Sequence, residues 1–219
     1  MTERITPPQF HGTAGVEDWR VLTGGAGACA YFETRSFAVG VALVAAIGGL
    51  ADAANHHPEV DLRHDGVTVR LRTRSVGGLS ELDVTLARQI SAAARKLDVP
   101  ADPSAVQHVF IAIDALVTAD VLPFWRALLG YQANGPADLV DPHRRGPSFW
   151  FQSMDAPRSQ RNRIHVDISV PHDQAEARIA AAIAAGGRLV TDEYAPAWWT
   201  LADAEGNEAD VATWLGRDY

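Results

Sequence analysis

The sequence predicts an α+β chain in two parts: a four-stranded antiparallel sheet with helices on one face, then a pair of βαβββ modules. Three observations carry this. Strand, strand, helix, strand, strand, helix is the order of hydrophobic patterns before residue 98. A break follows at Val99-Pro100-Ala101-Asp102-Pro103, where two prolines flank a short polar segment. Beyond it, strand, helix and further strands occur twice in about 110 residues, an internal repeat. The expected domains are 1–100 and 104–219.

In the first part, Trp19 to Leu22 and Ala28 to Glu33 read as strands joined by a glycine-rich turn. A long apolar helix starts near Arg35 and runs to Ala54. Val60 to His64 and Val67 to Thr73 are two short strands turning at Asp65-Gly66. Ser80 is a credible N-cap for a helix to Leu97, with Glu81 and Asp83 in the first turn, where the helix dipole favours negative charge. In the second part, the first module reads as a strand at His108 to Asp114, a helix at Thr118 to Leu129 and a strand at Gly146 to Met154. Pro123 is expected in about the first turn of that helix. The second module is a strand at Arg163 to Val170 and a helix at Asp173 to Ala185 ended by Gly186-Gly187. Strands at Arg188 to Thr191, Trp198 to Asp203 and Glu208 to Trp214 complete it.

Composition narrows the function classes. A hydrophobic share of 47% with 21% charged residues is globular. The net charge of −8 and scattered single arginines argue against nucleic acid, which wants a basic face. Arg158 to Arg163 reads as a solvated loop. The uncharged run from Phe37 to Ala51 is shorter than the roughly 20 residues of a membrane helix, and Met1 to Phe10 lacks the pattern of a signal peptide. A cytoplasmic protein without membrane contact is expected. Cys29, the single cysteine, reads as a buried, inert thiol.

Asn55-His56-His57-Pro58-Glu59 is the most informative stretch. It places two imidazoles at a helix end, and adjacent helical residues diverge by about 100°. One ring can then hold a ligand while the other points elsewhere, and the pair is badly placed to chelate one metal. Downstream lies Gly77-Gly78-Leu79-Ser80-Glu81-Leu82-Asp83. This order resembles the pterin-4a-carbinolamine dehydratases (4a-hydroxytetrahydropterin dehydratases), whose hallmark is His-His-Pro, then Thr-His, then Gly-Leu-Ser/Thr-Glu-x-Asp. The resemblance implies loss of the C4a hydroxyl and of the N5 proton from a 4a-hydroxytetrahydropterin, giving quinonoid dihydropterin. His56 and His57 would be the acid/base pair, since unperturbed histidine titrates at about 6.5. Pro58, Glu59, Arg74 and Asp83 would contact the pterin, and no cofactor is required. Asp83 also reads as a helix-start residue and Glu59 as polar rim. Two positions depart from the family: Arg74 stands where the Thr-His histidine belongs, and Val60 where an aromatic is usual. An arginine stays protonated and is a poor acid or base. His64, beside the Asp65-Gly66 turn, reads as a solvated turn residue rather than a replacement.

The second part resembles the glyoxalase-like members of the vicinal oxygen chelate superfamily. The matching residues are Ala112-Ile113-Asp114, Phe124-Trp125, Phe149-Trp150-Phe151-Gln152, Asn162 to Asp167 and Asp203-Ala204-Glu205-Gly206-Asn207-Glu208. That superfamily usually holds a divalent metal between His and Glu side chains of both repeats. Carried over, the ligands are His165 and Glu208, with His108 and Gln152 as further candidates, because the usual first ligand falls on Phe110. Two good donors point more to a hydrogen-bonded polar network than to a metal, and a divalent metal stays as the alternative. Trp125, Trp150, Trp198 and Trp199 read as core or pocket walls.

The leading expectation is therefore a 4a-hydroxytetrahydrobiopterin dehydratase, a lyase with impaired chemistry and a glyoxalase-like accessory domain. The alternatives are a weakly catalytic or non-catalytic binder of pterins or small aromatics, and a metal-dependent lyase or dioxygenase working in the second domain. Both resemblances imply a homodimer or larger homo-oligomer.

Overall fold

A computed structural model describes residues 2–22, 27–156, 166–170, 172–213 and 215–216. The chain divides into two compact units, 1–108 and 109–219. In the first, β1 (Arg20–Leu22), β2 (Gly27–Glu33), β3 (Glu59–Leu62) and β4 (Gly66–Leu71) form an antiparallel sheet in the order β1-β2-β4-β3. Ala30 and Phe32 of β2, with Val67, Val69 and Leu71 of β4, alternate onto one face. There they join Leu43 and Ile47 of α2 (Phe37–Ala54) and Leu86 and Ile90 of α3 (Glu81–Lys96) in one core. Trp19 is fully buried, and its indole N–H donates to Ser91 Oγ at 3.1 Å. A short helix missed in the sequence, α1 (Pro7–His11), is started by a Thr6–Gln9 capping box with proline at its first positions.

The apolar run reads shorter in the sequence than it is. At 18 residues α2 is long and apolar enough to cross a membrane by length and composition alone. Its ends are built with polar caps: Ser36 Oγ accepts from Val39 N–H, and Asn55 takes the left-handed conformation at φ 47°. The helix buries Gly40, Leu43, Ile47 and Ala51 in the core and leaves Phe37 and Val41 exposed.

Cys29 lies almost wholly buried on β2. Burial pushes its thiol up to about 11, against a smaller opposing pull from Arg70. The native protein should accordingly resist Ellman's reagent at pH 8 and release one thiol only on denaturation. Prompt labelling of the folded chain would contradict this burial.

The second unit has two sheets of identical topology. In one, β5 (Phe110–Ala115) runs parallel to β8 (Ser148–Ser153), followed by β7 (Asp138–Val140) and β6 (Gln132–Ala133) in antiparallel order. In the other, β9 (Val166–Ser169) runs parallel to β12 (Glu208–Ala212), followed by β11 (Trp198–Ala202) and β10 (Arg188–Thr191). Each sheet places its first strand beside its fourth, so the βαβββ repeat is real. The helices α4 (Thr118–Leu129) and α5 (Ala175–Ala184) pack on each other. Arg178 of α5 donates to the Leu128 carbonyl at 2.7 Å, supplying a partner at the end of α4. Pro123 is a correction: it sits inside α4, beyond the first turn, so the Ala119 carbonyl lacks its helical donor. β6 and β7 were not read from the sequence either. They are two and three residues long, in a polar stretch containing Gly135 and Pro136.

Candidate functional site

The site is organised by how α2 ends. Asn55 N–H bonds to the Asp52 carbonyl and His56 N–H to the Ala51 carbonyl, each at 3.1 Å, around a left-handed residue. This is a Schellman closure, with asparagine doing what glycine usually does. The two histidines therefore lie beyond the helix, not on it. Their divergence comes instead from extended chain ahead of Pro58, in which successive side chains point to opposite sides.

His56 points in and is buried. Its Nε2 lies 2.7 Å from Asp83 Oδ1. The other oxygen of Asp83 accepts from Thr73 Oγ1 at 2.7 Å and from Ser80 N–H at 2.8 Å. Thr73 Oγ1 spends its one proton on Asp83, so at its 2.7 Å contact with Ser80 Oγ it accepts. Ser80 Oγ in turn accepts from Leu82 N–H at 3.2 Å. Asp83 is the third residue of α3, inside a capping box with Ser80, and has no exposed surface. One buried carboxylate thus ties together the His56 segment, the end of the β4 segment at Thr73, and the start of α3.

His57 points out, with 61% of its side chain exposed, and its Nε2 is 3.1 Å from Asp52 Oδ1. Sequence reasoning missed Asp52. It is the only charged residue of α2, and it lies in the last turn, where the dipole disfavours an anion. A carboxylate in an adverse position, five residues before a histidine, was the available signal.

The remaining expected residues scatter around this network. Pro58 and Glu59 are half-buried, and Glu59 sits opposite Arg70 in the sheet register. Arg74 is exposed at the start of a 3-10 turn (Arg74–Val76), closed by Gly77 at φ 61° and by Thr73 N–H to the Gly78 carbonyl at 2.8 Å. His64 is exposed and bonded to its neighbour Asp65.

In the second unit, Asp203 is the organising residue. It is buried and accepts from Trp125 Nε1 at 2.9 Å, from Asn207 Nδ2 at 2.8 Å and from the backbone N–H groups of Glu205 and Asn207. Glu205 accepts from Leu116 N–H at 2.8 Å and Val117 N–H at 2.7 Å, at the entry to α4. Within the Asp203-to-Glu208 motif, the carboxylates of Asp203 and Glu205 thus serve the fold. Of the expected metal ligands, Glu208 is half-buried on β12 and Gln152 is exposed on β8. His108 groups with the first unit, where burial and then Arg70 hold its imidazole below the usual range. His165 lies outside the described residues. Among the described residues no three His, Cys, Asp or Glu side chains come together to hold a metal.

Comparison with known proteins divides the chain in the same way. Residues 4–93 match the family model of pterin 4 alpha carbinolamine dehydratase, and residues 108–212 that of the glyoxalase-like domain. Each half has its own family model. The dehydratase-type half is similar to relatives bearing the pterin-4-alpha-carbinolamine dehydratase name. One, from Nocardia farcinica, is 44% identical over 63 residues, 29% of this chain and 66% of the relative. Another, from Roseiflexus sp., is 44% identical over 59 residues, 27% of this chain and 63% of the relative. The chain thus spans just under two thirds of these relatives. Among solved structures, a transcriptional coactivator/pterin dehydratase from Brucella melitensis is 27% identical, with TM-score 0.40. That match covers 42% of this chain and 99% of that one. A glyoxalase-related enzyme from Fulvimarina pelagi is 15% identical, with TM-score 0.40, over 49% of this chain and 88% of that one.

Proposed function

We propose that the first unit dehydrates a 4a-hydroxytetrahydropterin to the quinonoid dihydropterin. The observation that carries this reading is the Asp83-centred network, which brings the His-His-Pro, Thr73 and Gly-Leu-Ser-Glu-x-Asp segments to one place. In this reading His57 is the proton carrier. Its exposed ring can reach a bound heterocycle, deliver a proton to the departing C4a hydroxyl as water forms, and receive the N5 proton. Asp52 holds the ring and offsets positive charge on it. His56 and Asp83 are positioning residues: closed off from solvent, they fix the backbone that presents His57. The second unit is an accessory domain, and the dehydration is assigned to side chains of the first.

Arg74 supports a second reading, in which the pterin is bound but turned over slowly. Loss of one acid–base group typically costs on the order of 10² to 10⁴ in rate. Stopped-flow absorbance of freshly generated 4a-hydroxytetrahydropterin separates the two. Decay accelerated by catalytic amounts of protein is the expected result. Unchanged decay with calorimetric binding of tetrahydrobiopterin leaves only the binder, and neither signal removes both.

A further inference from the structure

Three arginines gather on one turn beside this network. The Thr73–Gly78 loop carries Arg74 exposed at its start, and Arg72 Nη2 lies 3.4 Å from the Gly77 carbonyl. Arg4 lies over Gly78, where a β-carbon would stand 2.7 Å from its Nε. Arg4 is held there because Ile5 N–H bonds to the Leu79 carbonyl at 2.8 Å, running the N-terminal segment along the turn. The chain carries a net charge of −8, Glu3 directly precedes Arg4, and Glu81 follows three residues after Gly78. Even so, among the described residues neither Arg4 nor Arg74 has a carboxylate partner. Two guanidinium groups without a carboxylate partner among the described residues, with Arg72 bonded to the same turn, give this turn a local excess of positive charge on an acidic protein. That charge begins one residue from Thr73, in the buried chain whose other end, His56, adjoins His57.

We infer that this turn reads an anionic substituent on the pterin, a carboxylate or phosphate carried by the side chain of the ring. Guanidinium groups suit such oxyanions because their forked N–H donors match the oxygens in pairs. The inference rests on the pterin reading of the site and adds the substrate class: acidic pterins over neutral ones. In it, Arg74 serves selectivity where a histidine would have served proton transfer.

Calorimetry of the full-length protein with pterin-6-carboxylate and with 6-hydroxymethylpterin tests this, since the two are close in size and differ in charge. At low ionic strength the carboxylate should bind about tenfold more tightly, with the preference shrinking as salt rises. Arg74→Ala should remove most of the preference. Gly78→Ala should reduce it too, because the new methyl group displaces the flexible end of Arg4 while all charges remain. Equal affinity for the two pterins in the wild-type protein, or a preference that survives both variants, overturns the inference and leaves the pterin site standing. Binding of neither pterin overturns the site reading as well.

Discussion

Asp83→Ala is expected to lower the unfolding free energy by about 3–5 kcal/mol. The side chain has no exposed surface, and its two oxygens serve His56 Nε2, Thr73 Oγ1 and Ser80 N–H. Truncation leaves the three groups that face Asp83 without their acceptor. Unpaired buried groups of this kind cost about 1–3 kcal/mol each before relaxation. It also removes the capping box that starts α3. Urea denaturation followed by tryptophan fluorescence would report the change as a fall in midpoint at constant slope. Thr73→Val, which removes one donor and keeps the shape, should cost far less. A midpoint for Asp83→Ala within error of wild type would show that the network is dispensable for the fold.

His57→Ala is expected to do the reverse: to leave the denaturation midpoint unchanged and to slow catalysed dehydration by about 10² to 10⁴. The ring is largely exposed and bonds to Asp52, which is itself mostly in solvent. Exposed substitutions of this kind move stability by less than about 0.5 kcal/mol. Asp52→Asn should give an intermediate loss of rate, since it keeps a hydrogen-bonding oxygen and removes the charge that steadies the ring. The readout is the same stopped-flow decay at fixed protein concentration. A His57→Ala protein that accelerates the decay as well as wild type does would place the proton transfer elsewhere.

The strands and long helices of the first unit were legible because their patterns are local. Alternation marks β2 and β4, and Ser80 with Glu81 and Asp83 announces α3. The repeat of the second unit was legible for the same reason, while β6 and β7 were too short to show a period. The site was harder to read. His56 and His57 are adjacent in sequence, yet one is sealed and the other open, because Asn55 ends the helix before them and Pro58 keeps the chain extended after them. Sequence spacing treated the pair as helical and so gave the divergence the wrong cause. Asp83 could be placed at a helix start from its neighbours, but its bond to His56 spans 27 positions. Nothing in either local stretch encodes that contact; it exists only once sheet and helices have met.

Glu205 gives the duplicated half of the molecule a property that two copies side by side would lack. Its carboxylate holds the amides of Leu116 and Val117 at the head of α4, and Asp203 beside it holds the Trp125 indole. Both acceptors come from the late module and both sets of donors from the early one. Excised alone, the early module would start its helix on naked amides and carry a tryptophan deprived of its buried acceptor. The duplication has thereby become irreversible: the halves are interlocked, and 109–219 should melt as a single cooperative body rather than in two steps.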